Sequence, residues 1–278
     1  LNENIDHVSI KVFAMIRLTI AFMLSFCLCP LSTRGAEPLK VLLLGKQPDH
    51  PYGTHMYLFE CNLLAKCLRQ SPDVEAVVSD GWPRDSKILD GVDVIVSYSA
   101  DAGSELLSGR QKEEFQRLMN DGVGFVALHW STGAQKKEVG PRWQEILGAW
   151  FSLDFSRLNV TDSVLKQGSP KHPISRGWKD FPLHDEFYLD LRFQKNIAPI
   201  VTTTIDGKDY TLGWAYERPK GRTFGFVCGH FHEVFLNDNY RRIAINAILW
   251  AGNREVPTTG APCAITPEDG ILPPENKK

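Results

Sequence analysis

Apolar and polar positions along the first half of the chain follow two periods in turn. Residues 40–45, Lys-Val-Leu-Leu-Leu-Gly, form a continuous apolar run closed by glycine, the pattern of a strand buried on both faces. The spacing of Leu58, Leu63, Leu64, Cys67 and Leu68 then predicts a helix, with Thr54 as its cap and Ser71-Pro72 beyond its end. Residues 74–79 and 92–98 read as the second and third strands, set apart by Gly-Trp-Pro and Asp-Gly turns. A further helix is predicted from Ser108, with Phe115, Leu118 and Met119 facing inward and Asp121-Gly122 ending it, before a fourth strand at 123–128. Strands and helices alternating at this spacing need crossover connections. The first half therefore predicts a doubly wound α/β fold on a parallel sheet.

The second half is less regular. Residues 142–148 are helical in pattern, 158–162 and 199–204 are strand-like, and 211–216 with 223–228 predict a hairpin around 218–222. A long helix follows at 240–250, capped by Asn239 and stopped by Gly252, with Ile243, Ile245, Ala247, Ile248 and Trp250 inward. From Pro257 the chain is rich in Pro, Gly and Thr and reads as an extended or loose tail. The expected division is a leader at 1–36, an α/β domain at 37–256 and a tail at 257–278.

The leader has the marks of a secretory signal peptide. Met15-Ile-Arg precedes an almost wholly apolar run at 18–31, and small residues lead to Ala36 and the polar Glu37-Pro38. Residues 1–14 lie upstream of this plausible initiator, and the mature chain is expected to begin near Ala36 or Glu37. The apolar run is short for a bilayer and no second one follows, so an exported protein, periplasmic or extracellular, without a membrane span after cleavage is expected. The balance of 31 basic against 33 acidic residues, with no basic block, provides no field for nucleic acid. Beyond the leader only Cys61, Cys67, Cys228 and Cys263 remain, too few and scattered for a disulfide scaffold, and no C-x-x-C occurs.

The histidines carry the chemistry. His50 and His55 follow the first predicted strand, His129 ends the fourth, His184 lies in His-Asp-Glu-Phe-Tyr188, and His230 and His232 follow the strand expected to end at Cys228; His172 sits apart, in a His-Pro loop. Loops after parallel strands open on one edge of a sheet, so these side chains are expected to converge there. Imidazole and carboxylate are natural ligands of Zn or Mn and equally serve as general acid and base. Glu186, set between Phe181, Phe187 and Tyr188, needs a partner if buried. His172 and His184 are placed in turn-rich loops, Asp185 is expected to cap or close a turn, and Glu233 to face solvent. Trp82, Tyr98, Trp130, Tyr188 and Trp214 fall near strand ends, where they either stack on sugar rings or belong to the core.

Several of these segments, in this order, resemble a known family. They are the opening 40–45 strand with His55 at a helix start, Gly-Phe-Val-Ala-Leu-His129, His172-Pro-Ile, Asp185-Glu186-Phe-Tyr188, the hairpin leading into Gly229-His230, and Asn246-Ala-Ile-Leu-Trp250-Ala. Over roughly residues 38–254 the chain is similar to the ThuA-like (trehalose-utilisation) family. The resemblance implies the flavodoxin-like, class I glutamine amidotransferase-like fold, a three-layer sandwich on a mostly parallel sheet. It also implies a metal or acid–base site of His55, His129, Glu186 and His230, with Glu186 and His129 in catalytic roles and a divalent transition metal, Zn or Mn, as cofactor. Trp130, His184 and Tyr188 are the candidate substrate contacts. Where amidotransferases present a nucleophilic cysteine after the strand, this chain has Leu128-His129-Trp130, so glutaminase chemistry is not expected.

Two functions follow as expectations. One is an enzyme acting on a small carbohydrate or keto-sugar by hydrolysis, isomerisation or elimination; the other is a non-catalytic carbohydrate- or partner-binding module. A homo-oligomer is left open. A flavodoxin-type electron carrier is disfavoured, because residues 45–50 lack the Ser/Thr-rich phosphate cradle.

Overall fold

The computed structural model describes residues 37–275; the predicted signal peptide lies outside the described residues. Apolar runs become the inner strands. In β1 (Leu39–Gly45) every side chain but Lys40 is buried, and α1 (Tyr57–Leu68) returns the chain to β2 (Val74–Asp80). Then come β3 (Val94–Ser97), α2 (Ala102–Ser108), α3 (Lys112–Asp121) and the fully buried β4 (Gly124–Leu128). The second half contributes α4 (Gly140–Leu147), β5 (Ala149–Trp150), β6 (Arg157–Gln167), β7 (Phe181–Leu189), β8 (Arg192–Phe193), β9 (Ala198–Ile205) and β10 (Lys208–Glu217). It closes with β11 (Arg222–Phe226), α5 (His232–Phe235) and α6 (Asp238–Ala251).

One sheet runs β2-β1-β3-β4-β11-β10-β9-β6-β7, and a small pair joins β5 to β8. The first five strands are mutually parallel, in the flavodoxin-like order, and the last four are added antiparallel. Helices α1 and α6 pack together on one face and α2, α3 and α4 on the other, giving a three-layer α/β sandwich. Gly124 shows how closely the layers meet: a Cβ there would stand 2.4 Å from the Ala251 carbonyl oxygen at the end of α6.

The β6–β7 hairpin is the departure that matters for function. Its strands pair with each other along their length, from Arg157 opposite Leu189 to Leu165 opposite Phe181. β6 pairs with β9 only at Lys166 and Gln167, with Thr203 Oγ1 adding side-chain bonds to Ser163 and Val164. The hairpin therefore leaves the sheet and brings β7 against β10 and α5, beside the carboxyl ends of the parallel strands. Its outer strand leaves Leu158, Val160 and Val164 exposed, opposite Tyr188, Glu186 and Pro182.

The structure corrects several expectations. His184, expected in a turn-rich loop, lies in β7, because Phe181, Leu183, Phe187 and Leu189 alternate inward and Asp185 occupies the inward place between them. Ser108 ends α2 instead of opening the next helix. Thr54 does not cap α1: its hydroxyl donates to the Pro51 carbonyl and Met56 precedes the first turn. Asn237, not Asn239, caps α6, its Oδ1 accepting from the amides of Asn239 (2.9 Å) and Tyr240 (3.4 Å). Cys228 lies beyond β11, which ends at Phe226.

The tail is extended but not loose. Ala261 and Cys263 are buried, Arg241 Nε donates to the Cys263 carbonyl, and Gln70 exchanges two hydrogen bonds with Ala264. Among the described residues no helix is long and apolar enough to cross a membrane.

Buried Asn246 on α6 joins three segments. Its Nδ2 donates to the carbonyls of Ile174 (3.0 Å) and Arg176 (2.8 Å), and its Oδ1 accepts from Ala261 N (2.8 Å). Asn246→Leu strands the Arg176 carbonyl and the Ala261 amide, while the Ile174 carbonyl keeps Trp178 Nε1 (2.9 Å), and is expected to cost about 2–4 kcal/mol, read as a lower urea midpoint. An unchanged midpoint would show that the tail is not held by this contact.

Candidate metal and active site

Three segments deliver imidazoles to the carboxyl edge of the parallel sheet. The loop after β1 carries His55, the turn after β4 carries His129, and the turn after β11 carries His230. Backbone bonds zip two of these loops together: His55 N donates to His230 O (3.0 Å) and His232 N to Gly53 O (2.8 Å). His55 and His129 both hold left-handed backbone, φ 49° and 51°, which is uncommon outside glycine and costs on the order of 1–3 kcal/mol each. At His129 the strand snaps directly into a short turn closed by Thr132 Oγ1 on the His129 carbonyl (2.7 Å).

The hairpin supplies the fourth donor. Glu186 Oε2 lies 3.4 Å from His230 Nδ1 and 3.7 Å from His129 Nε2. His129 Nε2 is in turn 3.0 Å from His55 Nε2 and 3.3 Å from His230 Nδ1. All four donor atoms lie within 4.8 Å of one another. For bonds of about 2.1 Å, ligand atoms at the corners of a tetrahedron stand about 3.4 Å apart. The set can thus hold a metal ion.

The surrounding hydrogen bonds fit the same reading. The Val227 carbonyl can only accept, so the proton of His129 sits on Nδ1 (2.8 Å), and Nε2 offers a lone pair. That one lone pair faces His55, His230 and also the Tyr188 hydroxyl at 2.9 Å, more groups than it can satisfy without a cation among them. His55 Nδ1 lies 3.2 Å from Asp49 Oδ1 and 2.8 Å from the Tyr57 hydroxyl; when Asp49 accepts its proton, a second bare Nε2 points to the centre. Burial, reinforced by neighbouring imidazoles, holds His55 at about 4 and His129 well below the ordinary histidine value. Both are neutral at pH 7, the state a ligand requires. Burial pushes Asp49 up, but hydrogen bonds from His50, Lys46 and His55 outweigh it and hold its carboxyl at about 2.

Asp185 joins the two halves of the site. Fully buried, it accepts from the amides of Gly229 (2.6 Å) and His230 (3.0 Å), fixing the turn that presents His230. Gly229, at φ 122°, is required there, since a Cβ would stand 2.7 Å from the Tyr240 hydroxyl oxygen. Burial pushes the Asp185 carboxyl up to about 7 against these amide bonds.

His129 and Glu186, expected as catalytic, and His55 and His230 thus share one centre. Tyr188 is buried with its hydroxyl on His129, so it belongs to the centre and not to its rim. Trp130 is half-buried at the rim and its indole Nε1 is enclosed without a hydrogen-bond partner. His184 does not join the cluster: it is exposed, its Nδ1 on Asp162 and its ring stacked on Phe231. Trp82, Tyr98 and Trp214 are core residues. Glu233 is exposed as expected. Asp49, Tyr57 and the clamping role of Asp185 were missed; the inward register of position 185 in an otherwise apolar alternation was the available signal.

The ThuA family model, described as trehalose utilisation, matches residues 42–251. The chain belongs to the ThuA family. A ThuA-like protein from Bacteroides uniformis has a similar fold, with TM-score 0.61, 16% identity, and coverage of 82% of this chain and 96% of that one. Two cytoplasmic proteins from Salmonella typhimurium are similar at TM-scores of 0.55 and 0.54, with 17% and 18% identity, each covering 77% of this chain and 99% of its own. These identities establish a shared fold. No curated protein sequence matches the chain.

The buried imidazoles of this ThuA protein set its acid stability. Unfolded histidine takes up its proton below about pH 6.5, whereas His55 resists until about pH 4, so stability conferred above pH 6.5 is lost as pH falls through that window. The slope is on the order of 1 kcal/mol per pH unit. Asp185 acts with opposite sign between about 4 and 7, so the test is a difference: chelator-treated wild type should lose urea resistance from pH 6.5 to 4 more steeply than His55→Gln. Parallel profiles would show that His55 is not held neutral.

Proposed function

We propose that this ThuA-family protein is an exported, metal-dependent enzyme acting on a sugar or keto-sugar by hydrolysis, isomerisation or elimination. The observation that carries the reading is the convergence of His55, His129, Glu186 and His230 around one His129 lone pair. The family's description as trehalose utilisation supports the substrate class, and the signal-like leader at 18–36 supports export. A divalent Zn or Mn ion bound by these four residues would act as a Lewis acid toward a sugar carbonyl or hydroxyl, or toward water.

The protein's own groups then have defined tasks. Val227, Asp49 and Tyr57 fix the His129 and His55 rings, and Asp185 fixes the turn that bears His230. Glu186 and His230 are the more open members, with side chains 14% and 13% exposed, so ligand approach is from their side. A carboxylate at that opening is placed to take a proton from a sugar carbon or hydroxyl and return it. Tyr188 O–H can donate to an oxygen held beside His129. Thiol nucleophilic chemistry has no support here: burial pushes the thiols of Cys61, Cys67, Cys228 and Cys263 up.

Elemental analysis tests the metal. Purified mature protein should retain about one equivalent of a transition metal through gel filtration, and the His129→Ala/His230→Ala double variant should lose it. Asp49→Asn should weaken metal affinity about 10–100-fold while leaving the fold intact. Turnover is screened on disaccharides and their 3-keto derivatives. Metal-free protein whose sugar affinity survives in the double variant would point to the binding module instead.

A further inference from the structure

A cavity neighbouring the four donors is not lined by any of them. This cavity, of about 510 Å³, is walled by Tyr52 and Phe59 on one part and by Pro273, Pro274 and Glu275 of the tail on another. His50 stands between it and the cluster, with ring centroids 3.8 Å from that of His55 and 5.9 Å from that of His230. The cavity therefore begins one imidazole away from the centre.

The tail wall is fixed. Lys66 Nζ donates to both oxygens of Asp269 (2.5 and 2.6 Å), His232 Nε2 donates to the Gly270 carbonyl (2.8 Å), and the Tyr52 hydroxyl donates to the Pro273 carbonyl (2.9 Å). Tyr52 is thus both wall and tie. A Thr266–Asp269 capping box turns the chain toward the cavity just before these contacts.

The lining selects a chemistry. Aromatic and proline rings present flat apolar faces, while the Gln47 amide, the His50 imidazole and the Glu275 carboxylate supply hydrogen-bond donors and acceptors. A pyranose matches both, with C–H faces and a rim of hydroxyls. Among the described residues that line it no Arg or Lys favours a phosphate, and its polar groups do not suit an acyl chain.

We infer that this cavity is a second sugar subsite, completed by the C-terminal tail, which holds the non-reacting ring of a disaccharide whose reacting ring lies at the histidine cluster. The inference rests on the carbohydrate reading of that cluster, yet it concerns residues that are not donors to the metal centre. The tail thereby selects disaccharides over single sugars.

Isothermal titration of the mature chain with trehalose, maltose and cellobiose tests it. Tyr52→Ala and Glu275→Ala should each weaken the best-bound disaccharide about tenfold, the effect of one lost stacking or hydrogen-bonding contact, with metal content unchanged in both and the urea midpoint unchanged in Glu275→Ala. Tyr52→Phe, which keeps the wall and removes the tie to Pro273, should lose less than Tyr52→Ala. Affinity unchanged in both alanine variants, or a wild type that binds none of the three sugars, would overturn the subsite. Metal-free protein that still shows the Tyr52 and Glu275 losses would remove the metal-enzyme reading and leave the subsite standing.

Discussion

The buried carboxylate of Asp185 is the contact on which the site depends. A charge-bearing group without exposure must be fully used, and here both oxygens are taken by the amides of the turn after β11. That bond ties an antiparallel hairpin to a parallel sheet whose strands are otherwise far from it in order. It brings the Glu186 carboxylate and the Tyr188 hydroxyl over the imidazoles, adding a second carboxylate to the Asp49 that the loop after β1 sets beside His55.

The rest follows from placing loops on a single edge. Parallel strands end together, so His55, His129 and His230 meet although 175 positions separate the first from the last. Two left-handed residues and one glycine bend the chain sharply enough for the rings to face one another. Packing on both faces of the sheet, with Phe125 against Trp143 on one side and α6 seated on Gly124 on the other, stabilises those turns. The tail, far from being an appendage, is bonded to α1 and α6 and closes the neighbouring cavity.

Much of this was legible in residue order. Continuous apolar runs at 40–45 and 123–128 could be nothing but inner strands, and the histidines after them had to share an edge. What misled the reading was local turn chemistry: His-Asp-Glu at 184–186 reads as a loop when propensity is weighed residue by residue, while the alternation Phe181, Leu183, Phe187, Leu189 identifies a strand. Helix caps were misplaced by short steps, as with Asn239 for Asn237, because neighbouring Asn and Asp residues compete equally for that role on sequence grounds. The contacts of Asp49 and Tyr57 with His55 have no periodic signature and arise only from the path of the loop.

The division of labour between hairpin and sheet has an electrostatic consequence. Of the donors borne by the parallel half, the buried His55 and His129 are uncharged at neutral pH, and the one carboxylate of the set of four arrives on β7. A divalent ion held by three neutral imidazoles and that carboxylate would keep one net positive charge, and this remainder is governed by β7, the strand whose Asp185 also orients His230. Polarity and part of the geometry of the centre are therefore inherited from the same short stretch of polypeptide.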